Sequence, residues 1–105
     1  MVIKRQFRDA GTIMTRMIGP LTFRRALRAH RLCEEMTQAE LAKRLGISKQ
    51  HLSDIETGRK LVSPERAYVW AKKLGVVELQ WAQLAIQDAL DKAHIPVRVR
   101  LEHAA

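Results

Sequence analysis

The stretch GISKQHLSDIETG, residues 46–58, places one short helical pattern between two glycines. Gly46 can adopt the left-handed conformation that ends a preceding helix, and Ser48 can cap a new helix. Ile47 before that cap and Leu52 four residues after it have the spacing of a hydrophobic staple. The sequence therefore predicts two helices separated by only a glycine and an isoleucine.

The helix before Gly46 has its own start signal, the capping box Thr37-Gln-Ala-Glu40. The Thr37 oxygen can accept from the Glu40 amide, and the Glu40 side chain can reach back to the Thr37 amide. Its apolar positions are Leu41, Ala42 and Leu45. Two helices of about two turns joined so tightly must cross steeply, which is the helix-turn-helix arrangement.

The second helix of this pair is predicted to have one buried and one free face. Leu52 and Ile55 point inward, and Gly58 ends the helix. At about 100° per residue, the free face holds Lys49, Gln50, Ser53 and Asp54. These residues favour either an ordinary solvated helix face or a surface that reads base edges.

The chemistry of the free face suits base reading. Gln50 can pair with adenine N6 and N7, and Lys49 can donate to guanine O6 and N7. Asp54 cannot approach phosphate, but it can accept from cytosine N4 or orient Lys49 or Gln50. His51, beside Leu52, is better explained as a surface histidine than as a DNA contact.

Three further helices are predicted around this pair. One runs from Thr22 to about Met36, with Phe23, Ala26, Leu27, Leu32 and Met36 as its apolar residues. Another begins at Ser63-Pro64 and ends at Gly75, with Ala67, Trp70, Ala71 and Leu74 facing inward. The last covers about Val77 to Ala93; Leu79, Ala82, Ile86 and Leu90 lie along one side, widened by Trp81, Leu84 and Ala85.

The two ends of the chain do not show the helical pattern of the region between them. Residues 1–20 lack helical periodicity and form a basic arm, in which residues 2–7 could be a short strand. The segment VRVRLE, residues 97–102, alternates apolar and charged residues as a strand does. A lone strand needs a partner, either residues 2–7 or the same segment of a second subunit. We therefore divide the chain into an arm (1–20), a helix-turn-helix domain (21–93) and a tail (94–105).

The charge of the chain favours a polyanionic partner. Its 105 residues carry a formal net charge of +8, and residues 1–31 hold eight lysines and arginines against Asp9 alone. Arg24, Arg25, Arg28 and Arg31 fit a solvated helix face or contacts to phosphate equally well. Cys33 is the only cysteine, and we expect it to pack in its helix as a small apolar residue.

Other classes of protein are disfavoured. A single cysteine and four histidines without ligand spacing predict no zinc site, and no phosphate-binding glycine loop is present. We find no catalytic constellation, so we expect neither an enzyme nor a cofactor. Without a membrane-length apolar run or a secretory signal, the protein is expected in the cytoplasm.

The stretch TQAELAKRLGISKQHLSDIETGRK, residues 37–60, resembles the helix-turn-helix of the Cro/CI repressor family, also called the XRE family of lambda-repressor-like domains. With flanking helices the resemblance covers about residues 22–75. The longer frame, from LTFRRALRAHRL through LVSPERA to VRVRLE, also resembles small regulators and antitoxins of that superfamily. The resemblance implies an all-α, five-helix domain that places its third helix in the major groove, commonly as a dimer.

The resemblance also implies roles for individual residues. Gln38, at the start of the second helix, matches a phosphate contact of the family. Groove-facing positions of the reading helix are matched by Ser48, Lys49, Gln50 and Asp54, and Arg59 and Lys60 match a loop that approaches the DNA backbone. We assign base reading to Lys49, Gln50, Ser53 and Asp54, and backbone contacts to Gln38, Ser48, Arg59 and Lys60.

Two functions follow as hypotheses. The first is a sequence-specific regulator of transcription, a dimeric repressor whose helix 48–57 reads double-stranded DNA. The second is an antitoxin that neutralises a toxin encoded beside it and represses its own operon, since both chain ends exceed what a minimal DNA reader needs. A homodimer is expected in either case, because the last helix is apolar and the tail lacks a strand partner.

Overall fold

The computed structural model describes residues 21–104. This part of the chain forms five helices and no strand: α1 (Phe23–Cys33), α2 (Gln38–Leu45), α3 (Lys49–Glu56), α4 (Pro64–Leu74) and α5 (Glu78–Lys92). The predicted all-α class and the five helices are confirmed. The basic arm 1–20 and the strand at residues 2–7 lie outside the described residues.

The central pair of helices forms as its caps predict. Thr37 Oγ1 accepts from the Glu40 amide at 3.1 Å, and Glu40 Oε1 accepts from the Thr37 amide at 2.8 Å. α2 ends at Gly46, whose φ of 75° is left-handed, so the chain turns directly into the cap of α3. Ser48 Oγ then accepts from the His51 amide at 3.0 Å.

α1 is shorter than predicted at both ends. Thr22 is its cap rather than its first residue, with Oγ1 accepting from the Arg25 amide. The helix ends at Cys33 because Glu35 adopts a left-handed φ of 56°, which lets the Met36 amide turn back to the Arg31 carbonyl at 3.0 Å. The sequence analysis extended this helix to Met36, because the spacing of apolar side chains does not reveal a reversal of the backbone.

Two apolar expectations for α1 are also wrong. Leu32 is 54% exposed, and Cys33 is exposed rather than packed. Both lie on exposed sides of the last turn of α1, whereas the neighbouring His30 and Arg31 contact Trp81 and Glu56. Phe23 and Leu27, one turn apart near its start, are buried and supply the core face of this helix.

The core joins all five helices. Its buried residues are Phe23, Leu27, Leu41, Ala42, Leu45, Leu52, Ile55, Val62, Ala67, Trp70, Ala71, Leu74, Trp81 and Ala85. Phe23 meets the edge of Trp81 with ring centroids 5.3 Å apart and lies 6.4 Å from Trp70. Both tryptophans are therefore core residues, as the sequence suggested, and they tie α4 and α5 to the start of α1.

The buried stripe of α5 differs from the predicted one. Trp81, Ala82 and Ala85 are buried, whereas Leu79, Ile86 and Leu90 are only partly covered. The prediction centred the stripe on the larger aliphatic side chains. The helix instead turns Trp81 and two alanines to the core, where small side chains allow close packing against α4.

The tail after α5 does not form the predicted strand within residues 21–104. Two of its amides donate to side chains rather than to another strand: Gln87 Oε1 accepts from the Val99 amide and Gln83 Oε1 from the Leu101 amide, both at 2.8 Å. The tail therefore has partners on α5 in its own subunit.

None of the described helices combines the length and apolar character needed to cross a membrane.

Candidate nucleic-acid interface

α3 presents one face to the core and one to solvent. Leu52, Ile55 and Glu56 are buried beneath it. On the opposite side Lys49 and Gln50 are exposed, while Ser53 and Asp54 are partly exposed. The four residues assigned to base reading thus share the accessible side of the helix, and His51 is partly buried beside them.

Gln50, Asp54 and Arg59 form a connected group on this surface. Gln50 Nε2 donates to Asp54 Oδ1 at 3.0 Å, and Arg59 Nη1 donates to the same oxygen at 3.1 Å. The hydrogen bond from Gln50 is the main cause that holds the pKa of Asp54 below its ordinary value, against the opposing effect of desolvation. The hydrogen bond from Arg59 and the positive charges of Arg59 and Lys60 act in the same direction. Asp54 is therefore an anion that positions Gln50 and Arg59.

The loop after α3 is fixed by the same residue. The backbone amides of Arg59 and Lys60 donate to the Asp54 carbonyl at 2.8 and 3.1 Å. Gly58 permits this turn through a left-handed φ of 83°. The Arg59 side chain remains 68% exposed despite its ion pair, so its cationic end stays available to a polyanion.

The first turns of α2 and α3 offer backbone donors. The Ser48 side chain satisfies one α3 amide and the Thr37 side chain one α2 amide. The Gln38 and Lys49 amides, each at the first position of its helix, have no acceptor within the described part of the chain. Free amides at a positive helix end are suited to phosphate oxygens.

Gln38 has a structural contact in addition to any contact with DNA. Its Nε2 donates to Glu56 Oε1 at 3.0 Å. Arg31 donates to both carboxylate oxygens of Glu56, from Nε to Oε2 at 2.8 Å and from Nη2 to Oε1 at 2.9 Å. Arg31 also donates to the Met36 carbonyl, so this cluster joins α1, the turn before α2, α2 and α3.

Glu56 is the residue that the sequence analysis left without a role. Burial alone would raise its pKa, but the hydrogen bonds from Arg31 and Gln38 and the charge of Arg31 outweigh this effect and lower it. The signal was available: Glu56 follows Leu52 by four residues, so it shares the buried face of α3. A buried acid at that position requires a cationic partner.

The arginines of α1 divide between structure and surface. Arg31 is a buried ion-pair partner, with its side chain only 11% exposed. Arg24 donates to the Glu56 carbonyl at 3.4 Å, which places it beside the end of α3. Arg28 is exposed. The four arginines therefore do not form one uniform phosphate-binding row.

No group of three potential metal ligands occurs among residues 21–104.

Comparison with known protein families identifies the helix-turn-helix unit. Residues 27–81, more than half of the chain, match the helix-turn-helix family of the XRE/Cro-CI type. The matched region begins within α1 and ends in the first turn of α5, so it contains α2, α3 and α4 whole. No curated protein and no solved structure matches the chain.

Proposed function

The chain belongs to the helix-turn-helix family, and we propose from this premise that it is a sequence-specific regulator of transcription that reads double-stranded DNA with α3. The observation that carries the proposal is the exposed Gln50 side chain, held in place by Asp54 on the solvent side of α3. We further propose that the protein is a dimeric repressor acting in the cytoplasm.

The orientation of Gln50 suits adenine. One hydrogen of Nε2 is directed to Asp54, which leaves its second hydrogen and Oε1 for a base edge. Adenine offers the complementary pair, N7 as acceptor and N6 as donor. Lys49, the adjacent exposed cation, would select guanine through O6 and N7. Ser53 has donor and acceptor capacity and would adapt to a neighbouring base.

Backbone contacts would come from the two ends of this unit. The free amides at the starts of α2 and α3, with Gln38 and Ser48 beside them, would bind phosphates on one side of the groove. Arg59 and Lys60, both exposed after α3, would approach the phosphates on the other side. Such contacts fix the register of the protein on DNA and make its affinity salt-dependent.

The test is a binding selection from random and neighbouring genomic DNA at near-physiological salt. We expect an enriched two-fold site, bound about 10³-fold or more tightly than random DNA. Gln50→Ala should abolish choice at one base pair, costing about 1–3 kcal/mol of discrimination, and Lys49→Ala at another. Arg59→Ala should weaken binding to every sequence and reduce the salt slope by about one unit.

Matched controls separate reading from general effects. Gln80→Ala on α5 and Lys73→Ala on α4 remove the same exposed chemistry away from α3. They should leave the selected sequence unchanged. If the Lys49 and Gln50 variants select the same site with the same affinity as the parent chain, the proposed docking of α3 is wrong.

The antitoxin hypothesis is the alternative, motivated by the segments that flank the helix-turn-helix domain. Co-expression with the product of the neighbouring gene tests it. A stable complex that relieves toxicity would favour it, whereas a neighbouring product that never binds the chain would argue against it.

A further inference from the structure

The tail lies on α5 in a regular way. Gln87 uses both ends of its amide: Nε2 donates to the Val97 carbonyl at 2.9 Å, and Oε1 accepts from the Val99 amide at 2.8 Å. One helical turn earlier, Gln83 Oε1 accepts from the Leu101 amide at 2.8 Å. Two glutamines of one helix therefore bind alternate residues of the tail, as a neighbouring strand would.

The spacing of these bonds indicates an extended tail. Four residues of helix, from Gln83 to Gln87, span about 6.0 Å. Two residues of a strand, from Val99 to Leu101, span about 6.6–6.8 Å. The two repeats agree, and the tail runs antiparallel to α5 because the later tail residue meets the earlier glutamine. Residues 97–101 are thus extended, and side chains of α5 take the place of a partner strand.

This arrangement leaves the other edge of the tail open. In an extended chain, the amide and carbonyl of alternate residues point to opposite sides. The backbone amides of Val99 and Leu101 point to α5. The backbone amides of Arg98, Arg100 and Glu102 therefore point away from this helix. None of these three amides has an acceptor among residues 21–104. An unpaired strand edge is a template for another strand.

We propose that this edge pairs antiparallel with the tail of a second copy of the chain, with Arg100 opposite the partner's Glu102. The two-fold axis then passes between Leu101 and the partner's Leu101. Each tail contributes one cation and one acid, so the symmetric pairing forms two complementary Arg–Glu contacts.

Charge favours this register over its neighbours. Moving the pairing by one step keeps two Arg–Glu contacts, between Arg98 and the partner's Glu102, but adds a repulsive contact because Arg100 then lies opposite the partner's Arg100. Moving it the other way places Glu102 opposite the partner's Glu102, which is also repulsive. A pairing with residues 2–7 of the same chain, VIKRQF, would bring Lys4 and Arg5 to an edge already carrying two arginines. The second copy alone supplies an acid at the required position.

The interface deepens the dimer of the proposed function. A symmetric dimer presents two copies of α3 related by the same axis, as a two-fold DNA site requires. Association of the tails can be measured without DNA, so the two proposals fail separately. A chain that dimerises through the tail but binds all DNA alike would contradict the proposed function and retain this interface.

The first test reverses the charges in the full chain and measures dimer dissociation by analytical ultracentrifugation. Arg100→Glu alone and Glu102→Arg alone should each weaken the dimer about tenfold, since each opposes like charges twice. The double variant should restore the parental affinity. Arg98→Glu, which faces no charged residue in this register, is the matched control and should change the affinity much less.

The second test is a cross-link in a chain in which Cys33→Ser removes the exposed native thiol. Directly opposed, non-hydrogen-bonded residues have Cα atoms about 4.5 Å apart, within reach of a disulfide. Leu101→Cys should therefore give a covalent dimer on oxidation, whereas Arg98→Cys should not. A parent chain that is monomeric with and without DNA, single reversals without effect, or no cross-link at Leu101 would each overturn the interface.

Discussion

Two carboxylates on α3, two residues apart, make similar bonds in opposite surroundings. Glu56 accepts from Gln38 and Arg31 on the core side, and Asp54 accepts from Gln50 and Arg59 on the solvent side. The Glu56 side chain is 4% exposed and its arginine 11%, against 16% and 68% for Asp54 and Arg59. Each carboxylate thus holds one amide and one guanidinium.

The difference between these groups is what surrounds them. Around Glu56, loss of the acid would leave a guanidinium in a poorly hydrated space, so we expect the cluster to contribute strongly to stability. Around Asp54, water can replace any lost bond, so the group contributes little to stability. The same chemistry is therefore structural on one face of α3 and, in our proposal, functional on the other.

The largest predicted effect is on stability, and it is expected when Glu56 is replaced. Glu56→Ala should lower the free energy of unfolding by about 3 kcal/mol, because it leaves Arg31 buried without its partner. Urea unfolding followed by circular dichroism measures this change. Asp54→Ala is the matched control on the same helix and should barely move the unfolding midpoint. Equal losses in both variants would show that burial does not separate the two groups.

Lowering the pH should remove part of the stability that ionised Glu56 gives to the folded state. The folded state lowers the pKa of Glu56 below its ordinary value of 4.5, so protons bind more readily to the unfolded chain. Its stabilising contribution is complete above about 4.5 and is lost as the pH falls through the lower folded value. The difference in unfolding free energy between the parent chain and Glu56→Gln should therefore shrink as pH falls from neutral. A constant difference would contradict the lowered pKa.

The smallest effect is expected at Asp54, and only on DNA binding. Asp54→Ala frees Gln50 and Arg59, so both side chains must be ordered when DNA binds. We expect affinity for the selected site to fall about fivefold to tenfold. Fluorescence anisotropy with the selected and a scrambled duplex measures this. Asp54→Asn, which can still accept from one donor, should lose less; a gain in affinity would show instead that Asp54 repels the phosphates.

Much of the region from Thr37 to Gly75 could be predicted because its signals are local. The capping box, the left-handed Gly46, the cap at Ser48 and the Ser63-Pro64 start each act within a few residues. The free face of α3 follows from helical spacing alone, which is why the candidate base-reading residues came from the sequence. Their contact with DNA remains a prediction.

Predictions failed where the spacing of apolar residues carried no signal. The end of α1 depends on a local backbone reversal at Glu35, and the rotation of α5 depends on how Trp81 packs against the distant Phe23. The alternation in VRVRLE indicated an extended tail, but the partner was Gln83 and Gln87 rather than another strand. Neither glutamine has a local feature that marks it as a ligand for the backbone.

The sequence by itself determined the helix boundaries at the central turn and the residues that α3 offers to solvent, because caps, glycine conformations and helical periodicity act over one or two turns. Only the tertiary structure decided that Arg31 pairs with Glu56. It also decided that Gln38 belongs to the same cluster and that the tail docks on α5. These contacts join residues 10 to 25 positions apart. Their formation depends on which helix faces meet when the core packs, and local sequence signals do not carry that information.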